Sequence, residues 1–121
     1  MKYDENNIFA KILRGEIPCN KIYEDDFVLS FYDINPQKKI HALVIPKGKY
    51  IDLDDFNTNA SNEEIIGLMK GVTTVAKKLG ISSIDGKGYR ALANISDYGG
   101  QEVPHLHFHL FGGEKVGKMV S

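Results

Sequence analysis

The chain has 121 residues, 42% of them hydrophobic, a formal net charge of −1 and one cysteine. That length suits one domain over 1–121 with its own core, and the charge excludes a nucleic-acid binder that works through a basic surface. No apolar run is long enough to span a bilayer, Cys19 alone excludes an internal disulfide framework, and residues 1–7 carry no signal-peptide pattern, so the expected setting is the reducing cytoplasm.

The first predicted element is a short helix over Ile8–Arg14, with Asn7 as N-cap and Gly15 as its stop. Ile17-Pro18 is extended. Cys19 follows Pro18 with no histidine nearby in sequence, which reads as a bystander rather than a nucleophile. Lys21–Glu24 and Phe27–Asp33 form a hairpin about Asp25-Asp26. Asp33 ends its strand before Ile34-Asn35-Pro36, where its carboxylate either turns out to a hydroxylated ligand or caps the turn. Ile40–Pro46 is nearly all apolar, as an interior strand with both faces covered would be, in part by a second subunit. It carries His41, which on sequence alone is a buried core histidine.

Tyr50–Ala60 is acidic and polar and reads as a loop with a short helical turn. Ser61 and Glu64 then form a capping box. Ile65, Leu68, Met69, Val72, Ala76 and Leu79 recur at helical spacing until Gly80. Tyr89–Ile95 alternates as a strand, which brings Asn94 toward a neighbouring site. Gly99-Gly100 lets backbone approach a ligand and offers N–H groups to phosphate oxygens. The fold class is α+β: a mostly antiparallel sheet of about five strands with one short and one long helix.

His105-Leu106-His107-Phe108-His109-Leu110 holds three of the four histidines on alternate residues. As a strand it turns His105, His107 and His109 to one face and Leu106, Phe108 and Leu110 to the other. The outer two histidines then stand roughly 13 Å apart, whereas zinc needs nitrogens at about 2.0–2.1 Å. All three cannot share one ion, and a metal site would need His41 or carboxylates brought in from elsewhere. A row of imidazoles better suits an extended anionic group, with one ring attacking and its neighbours donating hydrogen bonds.

Residues 100–113, Gly-Gln-Glu-Val-Pro-His-Leu-His-Phe-His-Leu-Phe-Gly-Gly, resemble the signature of the histidine triad (HIT) family, His-φ-His-φ-His-φ-φ with φ apolar. The resemblance continues in Ile8–Ile12, Glu16–Pro18, Tyr23–Asp26, Phe31–Pro36 and His41–Lys47, and is nearest to the Hint branch of small dimeric nucleotide hydrolases. It implies a HIT-like fold whose sheet extends across a homodimer. It also implies a purine nucleoside 5′-phosphoramidase that works through a nucleotidyl-histidine intermediate, without a cofactor or metal. By position, His107 would be the nucleophile, flanked by His105 and His109, with His41 in the same polar network. Asp33 would hold the ribose, and Phe9, Ile12, Ile17 and Ile34 would wall the base pocket. Asn94, Gln101 and the backbone of Val103 would meet the phosphate or its surroundings. Some bacterial relatives build a zinc site on Cys-x-x-Cys in the first helix; Asn7 and Ala10 stand at those places here. Glu102 replaces a serine or threonine found in many eukaryotic members. Two other readings stay open: a non-catalytic nucleotide-binding or signalling module, and a dinucleoside polyphosphate hydrolase of the same superfamily.

Overall fold

The computed structural model describes residues 2–120. In chain order the elements are α1 (Ile8–Leu13), β1 (Lys21–Glu24), β2 (Val28–Tyr32), β3 (Ile40–Pro46), α2 (Leu53–Asn59), α3 (Asn62–Lys78), β4 (Arg90–Leu92) and β5 (Phe108–Gly112). The strands form one antiparallel sheet in the order β1-β2-β3-β5-β4. The fold class is therefore the α+β architecture expected.

Alternation along the strands sorts the core into two layers. Val28, Ala42, Val44, Leu106 and Leu110 face α2 and α3, where they meet Phe56, Leu68, Val72 and Val75. Leu29, Phe31, Leu43 and Ile45 face the opposite way and pack under Phe9 of α1. Both faces of β3 are thus covered within one chain, without help from a second copy. His41 shares the parity of Leu43 and Ile45, and His109 that of Phe111, so these histidines open on the α1 side. The β3–β5 register pairs His41 with Phe111 and Leu43 with His109. His41 and His109 are therefore diagonal neighbours across the ladder, within reach of each other's rings.

The capping box of α3 is present: the Ser61 hydroxyl accepts the N–H of Glu64, and the Glu64 carboxylate accepts the N–H of Ser61. Gly67 lets α3 lie close on the sheet, since a Cβ there would stand 2.5 Å from Phe27. In α1, Asn7 Oδ1 accepts the N–H of Ala10 at 2.9 Å, so the pair at the Cys-x-x-Cys positions serves as a helix cap.

Three expectations need correction. Leu53–Asn59 is a two-turn helix rather than a loop with one turn. Its Asp, Asn and Thr residues are poor helix formers. Asp52 caps it through the Asp55 N–H at 2.8 Å, Asp54 and Asp55 complement its first turn, and Phe56 anchors it in the core. The second correction concerns the histidine strand, which joins the ladder only at Phe108. Pro104 has no N–H to give, the His105 N–H turns back to Val103 O, and the Leu106 N–H goes to Tyr50 O at 2.9 Å. The in–out alternation survives: Leu106 and Leu110 are in the core, while His105 and His107 lie by Phe9. The third is β4, which is shorter than the predicted Tyr89–Ile95. No helix among the described residues is long and apolar enough to cross a membrane.

Candidate active site

A cavity of about 590 Å³ opens beside the C-terminal end of this histidine run. Its walls include Phe9, Asp33, His41, Asn94, Glu102, Val103, His107 and His109. Four separate parts of the chain thereby meet: α1, the end of β2, β3, and the run from Asn94 to β5.

Backbone partners fix the proton positions on His41, His105 and His107, and His41 fixes that on His109. Nδ1 of His107 lies 2.7 Å from the carbonyl oxygen of His105, so that nitrogen carries the hydrogen. Nε2 of His107 then carries the free lone pair, and it makes no hydrogen bond among the described residues. The Gln37 N–H donates to His41 Nδ1 at 3.1 Å, which leaves the hydrogen of neutral His41 on Nε2. That Nε2–H donates to His109 Nδ1 at 2.9 Å. His109 must then carry its own hydrogen on Nε2, a buried atom with no partner among the described residues. The pair therefore presents an unsatisfied donor beside the free lone pair of His107. His105 is spent: Nε2 donates to Pro46 O at 2.9 Å and Nδ1 accepts from the Tyr3 hydroxyl at 2.6 Å.

Burial keeps these rings neutral. Desolvation pushes His105 down to about 4, against a raising effect from its bond to Pro46. It also pushes His109 down to about 4, with His107 and His41 adding to the shift. His41 and His107 are lowered by burial too, and for both of them Asp33 works in the opposite direction. Aromatic packing restrains the rings. Phe9 meets His107 edge-on at 5.0 Å, and Phe111 stacks on His109 at 5.7 Å with 3° between the planes.

Asp33 caps the turn with one oxygen and keeps the other on the cavity wall. Oδ1 caps the turn by accepting the Asn35 N–H at 2.8 Å, while Oδ2 stands 3.5 Å from His41 Nε2 on the cavity wall. Asp33, His41 and His109 each offer one atom within 4.8 Å of the others, a two-nitrogen, one-oxygen set whose chemistry suits zinc. The His41–His109 hydrogen bond already accounts for the closeness of those two nitrogens.

Phe9, Asn94 and Val103 line the cavity as expected, but several other residues do not. Gln101 has its carboxamide occupied: Nε2 donates to Ile51 O at 2.6 Å and Val103 O at 3.0 Å, and Oε1 accepts the Ser96 N–H at 2.9 Å. It braces the cavity rim from behind. Ile12 lines a neighbouring cavity with Leu13 and Cys19. Ile17 is half-buried outside the lining, and Ile34 is 86% exposed. His105 is fully buried and does not line the cavity.

The Gly100 N–H is not free for phosphate, because it donates to Asp97 O at 3.0 Å. The N–H groups of Glu102 and Val103 make no hydrogen bond to a described residue. Gly99 is required for the tight turn itself, since a Cβ there would meet Ile95 O at 2.3 Å. Leu43, Leu92 and Phe111 also line the cavity; none was singled out from the sequence, and strand parity with His41 and His109 is the signal that could have found them. Gln37 and Tyr3 had no such signal, since each acts from outside a strand.

The HIT domain family model matches residues 14–116. The chain is 51% identical over 119 residues to an uncharacterized 13.2 kDa HIT-like protein of Azospirillum brasilense, covering 98% of this chain and 95% of that one. It is 41% identical over 117 residues to a purine nucleoside phosphoramidase of Escherichia coli K12, covering 97% and 95%. Among solved structures, a HIT family hydrolase from Clostridium thermocellum superposes with a TM-score of 0.85 at 37% identity, over 98% of this chain and 99% of that one. On the fold, the histidine cavity and these likenesses together, the chain belongs to the HIT family.

Proposed function

We propose that the protein is a purine nucleoside 5′-phosphoramidase acting through a nucleotidyl-His107 intermediate. The observation that carries this reading is the His107–His105 hydrogen bond, which leaves the Nε2 lone pair of His107 facing the cavity. His107 Nε2 attacks the α-phosphorus, a P–N bond to the imidazole forms, and the substrate's P–N bond breaks. The departing nitrogen takes one proton and leaves as an amine. His109 presents Nε2–H for that transfer, and uptake of one proton from solvent by the Asp33–His41–His109 network balances it. Water then attacks phosphorus, the P–N bond to His107 breaks with its electron pair returning to Nε2, and the water's surplus proton leaves to solvent, which releases the nucleoside monophosphate and neutral His107. The N–H groups of Glu102 and Val103, with the carboxamide of Asn94, are the donors for the phosphoryl oxygens.

Asp33 would accept hydrogen bonds from the ribose hydroxyls. Phe9 and Val103 would contact the nucleoside, and a purine laid on Ile34 would cover an otherwise exposed side chain. Ile12, which packs against the Phe9 cluster, and Ile17 would support that wall from behind. His105 serves the site through its carbonyl rather than its ring. A homodimer joined through β4, one of the two outer strands of the sheet, would extend the sheet into a second copy. In this reading the partners are a purine nucleotide or phosphoramidate and a second copy of the chain, and the setting is the cytoplasm.

Charge separates this reading from dinucleoside polyphosphate hydrolysis. The cavity wall holds two carboxylates, Asp33 and Glu102, and no lysine or arginine. A polyphosphate leaving group would enter without a counter-charge, whereas an amine leaves as a neutral or cationic group. The test compares kcat/KM for an adenosine 5′-phosphoramidate of a primary amine with that for a diadenosine polyphosphate. The phosphoramidate is expected to be preferred by about 100-fold or more, a difference of roughly 3 kcal/mol. Preference for the polyphosphate would reverse the assignment, and AMP binding without turnover of either would favour the non-catalytic module.

A further inference from the structure

The geometry points to Tyr3 as a positioning residue of this active site: its hydroxyl locks the His105 ring and, through the His105 carbonyl, the proton on His107. Tyr3 lies ahead of the residues matched by the family model, 14–116, and outside every motif of the histidine run. The inference rests on the phosphoramidase reading for its effect on rate, but not for its effect on proton position.

The chain of contacts is short and directional. Tyr3 Oη–H donates to His105 Nδ1 at 2.6 Å, with the two rings edge-to-face at 5.7 Å. His105 Nε2–H donates to Pro46 O at 2.9 Å, so the ring is held at both nitrogens between the N-terminal segment and the end of β3. A ring held at both ends fixes the residue's backbone, and the carbonyl of that residue accepts His107 Nδ1–H at 2.7 Å. Without the phenol, His105 Nδ1 is a buried acceptor with no donor, and the ring is free to turn or to exchange its proton between nitrogens. The carbonyl that sets the His107 tautomer then loses its anchor.

Tyr3 is delivered by a folded turn, not by a loose end. Asp4 O accepts from the Asn7 backbone N–H at 3.2 Å and from Asn7 Nδ2 at 2.8 Å, and Asp4 Oδ1 accepts the Asn6 N–H at 2.9 Å. Glu5 ties the same turn to Lys49 through an ion pair at 2.9 Å, and Arg14 Nη1 donates to Glu5 O at 2.8 Å. The hydroxyl is therefore pre-placed against His105 before any ligand arrives.

Tyr3→Phe tests this, because it keeps the ring contact and removes only the O–H. Two quantities are read on the intact chain: steady-state hydrolysis of the adenosine phosphoramidate, and imidazole nitrogen shifts by ¹⁵N NMR without substrate. In the parent protein His105 should carry its hydrogen on Nε2 and His107 on Nδ1. In Tyr3→Phe, the His105 Nδ1 resonance should move toward that of a free acceptor and His107 should show a mixture of tautomers. The value of kcat should fall about 10-fold with KM changed less than about 2-fold. Unchanged tautomers in a folded Tyr3→Phe protein would overturn the proposal, as would an unchanged kcat. Absence of turnover by the parent protein would instead count against the phosphoramidase reading, and the tautomers would still decide the role of Tyr3. Should Tyr3→Phe not fold, the parent spectrum still decides: a His107 hydrogen on Nε2 overturns the proposal, and one on Nδ1 with a strongly hydrogen-bonded His105 Nδ1 supports it.

Discussion

The carbonyl oxygen of His105 lies 2.7 Å from Nδ1 of His107, two residues along the same run. One histidine thus sets the tautomer of the next through its backbone, while its own ring is held elsewhere. This contact is possible because the run leaves the ladder before β5 begins; a carbonyl paired with a neighbouring strand would be less free to turn to the ring.

Attack through Nε2 requires a neutral His107, and that gives a pH dependence with a definite sign. Burial lowers the His107 pKa below the usual histidine value, so the neutral ring persists as pH falls through that value. The quantity kcat/KM should stay level from pH 8 down to the ordinary histidine value of about 6.5 and fall only below it. A loss of activity beginning near pH 7 would mean that the ring titrates as if exposed. Stability follows the same direction. His105 and His109 are pushed down to about 4, so between the unfolded histidine value and about 4 the unfolded chain binds more protons than the folded one. Their contribution is complete above about pH 6.5 and is lost as pH falls toward 4, so the melting temperature should drop over that window.

Removal of the Asp33 carboxylate should act on binding. Asp33→Ala is expected to raise KM for a ribonucleoside phosphoramidate by about 10–100-fold, the worth of hydrogen bonds to a charged acceptor. The 2′-deoxy analogue, which has one hydroxyl fewer to offer, should lose less. Equal losses for the two sugars would show that Asp33 acts through His41, 3.5 Å away, rather than on the ribose.

The location of the site was legible because strand alternation is a strong constraint. The period of two put His107 and His109 on one face; His41 joined them only through the family resemblance, and the antiparallel register that pairs Leu43 with His109 is what brings the His41 ring there. The apolar run of β3 and the capping box of α3 were equally readable, since each rests on local chemistry. The role of each ring was not readable. Whether His105 serves by its ring or its carbonyl depends on Tyr3, 102 residues away in sequence, and on Pro46. Gln101 was expected by its place in the motif to meet the phosphate or its surroundings, and its carboxamide is used up on Ile51, Val103 and Ser96. Helix α2 was missed because its stability comes from a cap and one buried phenylalanine rather than from helix-forming residues.

The Glu102 carboxylate should bear on leaving-group charge. Glu102→Gln is expected to improve kcat/KM for a diadenosine polyphosphate by roughly 3–10-fold at low salt, with a smaller change for a phosphoramidate of a neutral amine. The gain should shrink as salt is added. No change for either substrate would place the polyphosphate chain away from Glu102.

The close approach of α3 to the sheet at Gly67 carries a stability cost if filled. In Gly67→Ala, the new methyl would stand 2.5 Å from the Phe27 ring, so Phe27 or the helix must shift. The expected loss is about 1–3 kcal/mol by denaturant unfolding, despite the better helix propensity of alanine. An increase in stability would show that Phe27 moves aside freely.

The most direct measurement is on the covalent step. The protein, in chelator, would be mixed with an adenosine phosphoramidate, quenched in alkaline denaturant to preserve P–N bonds, digested and weighed peptide by peptide. The same substrate would be assayed with His107→Asn. The expected result is a nucleotidyl adduct on His107 and a loss of about 10⁴-fold or more in kcat for the variant. An adduct on another residue, or turnover by His107→Asn near that of the parent protein, would contradict the assignment of His107 as nucleophile.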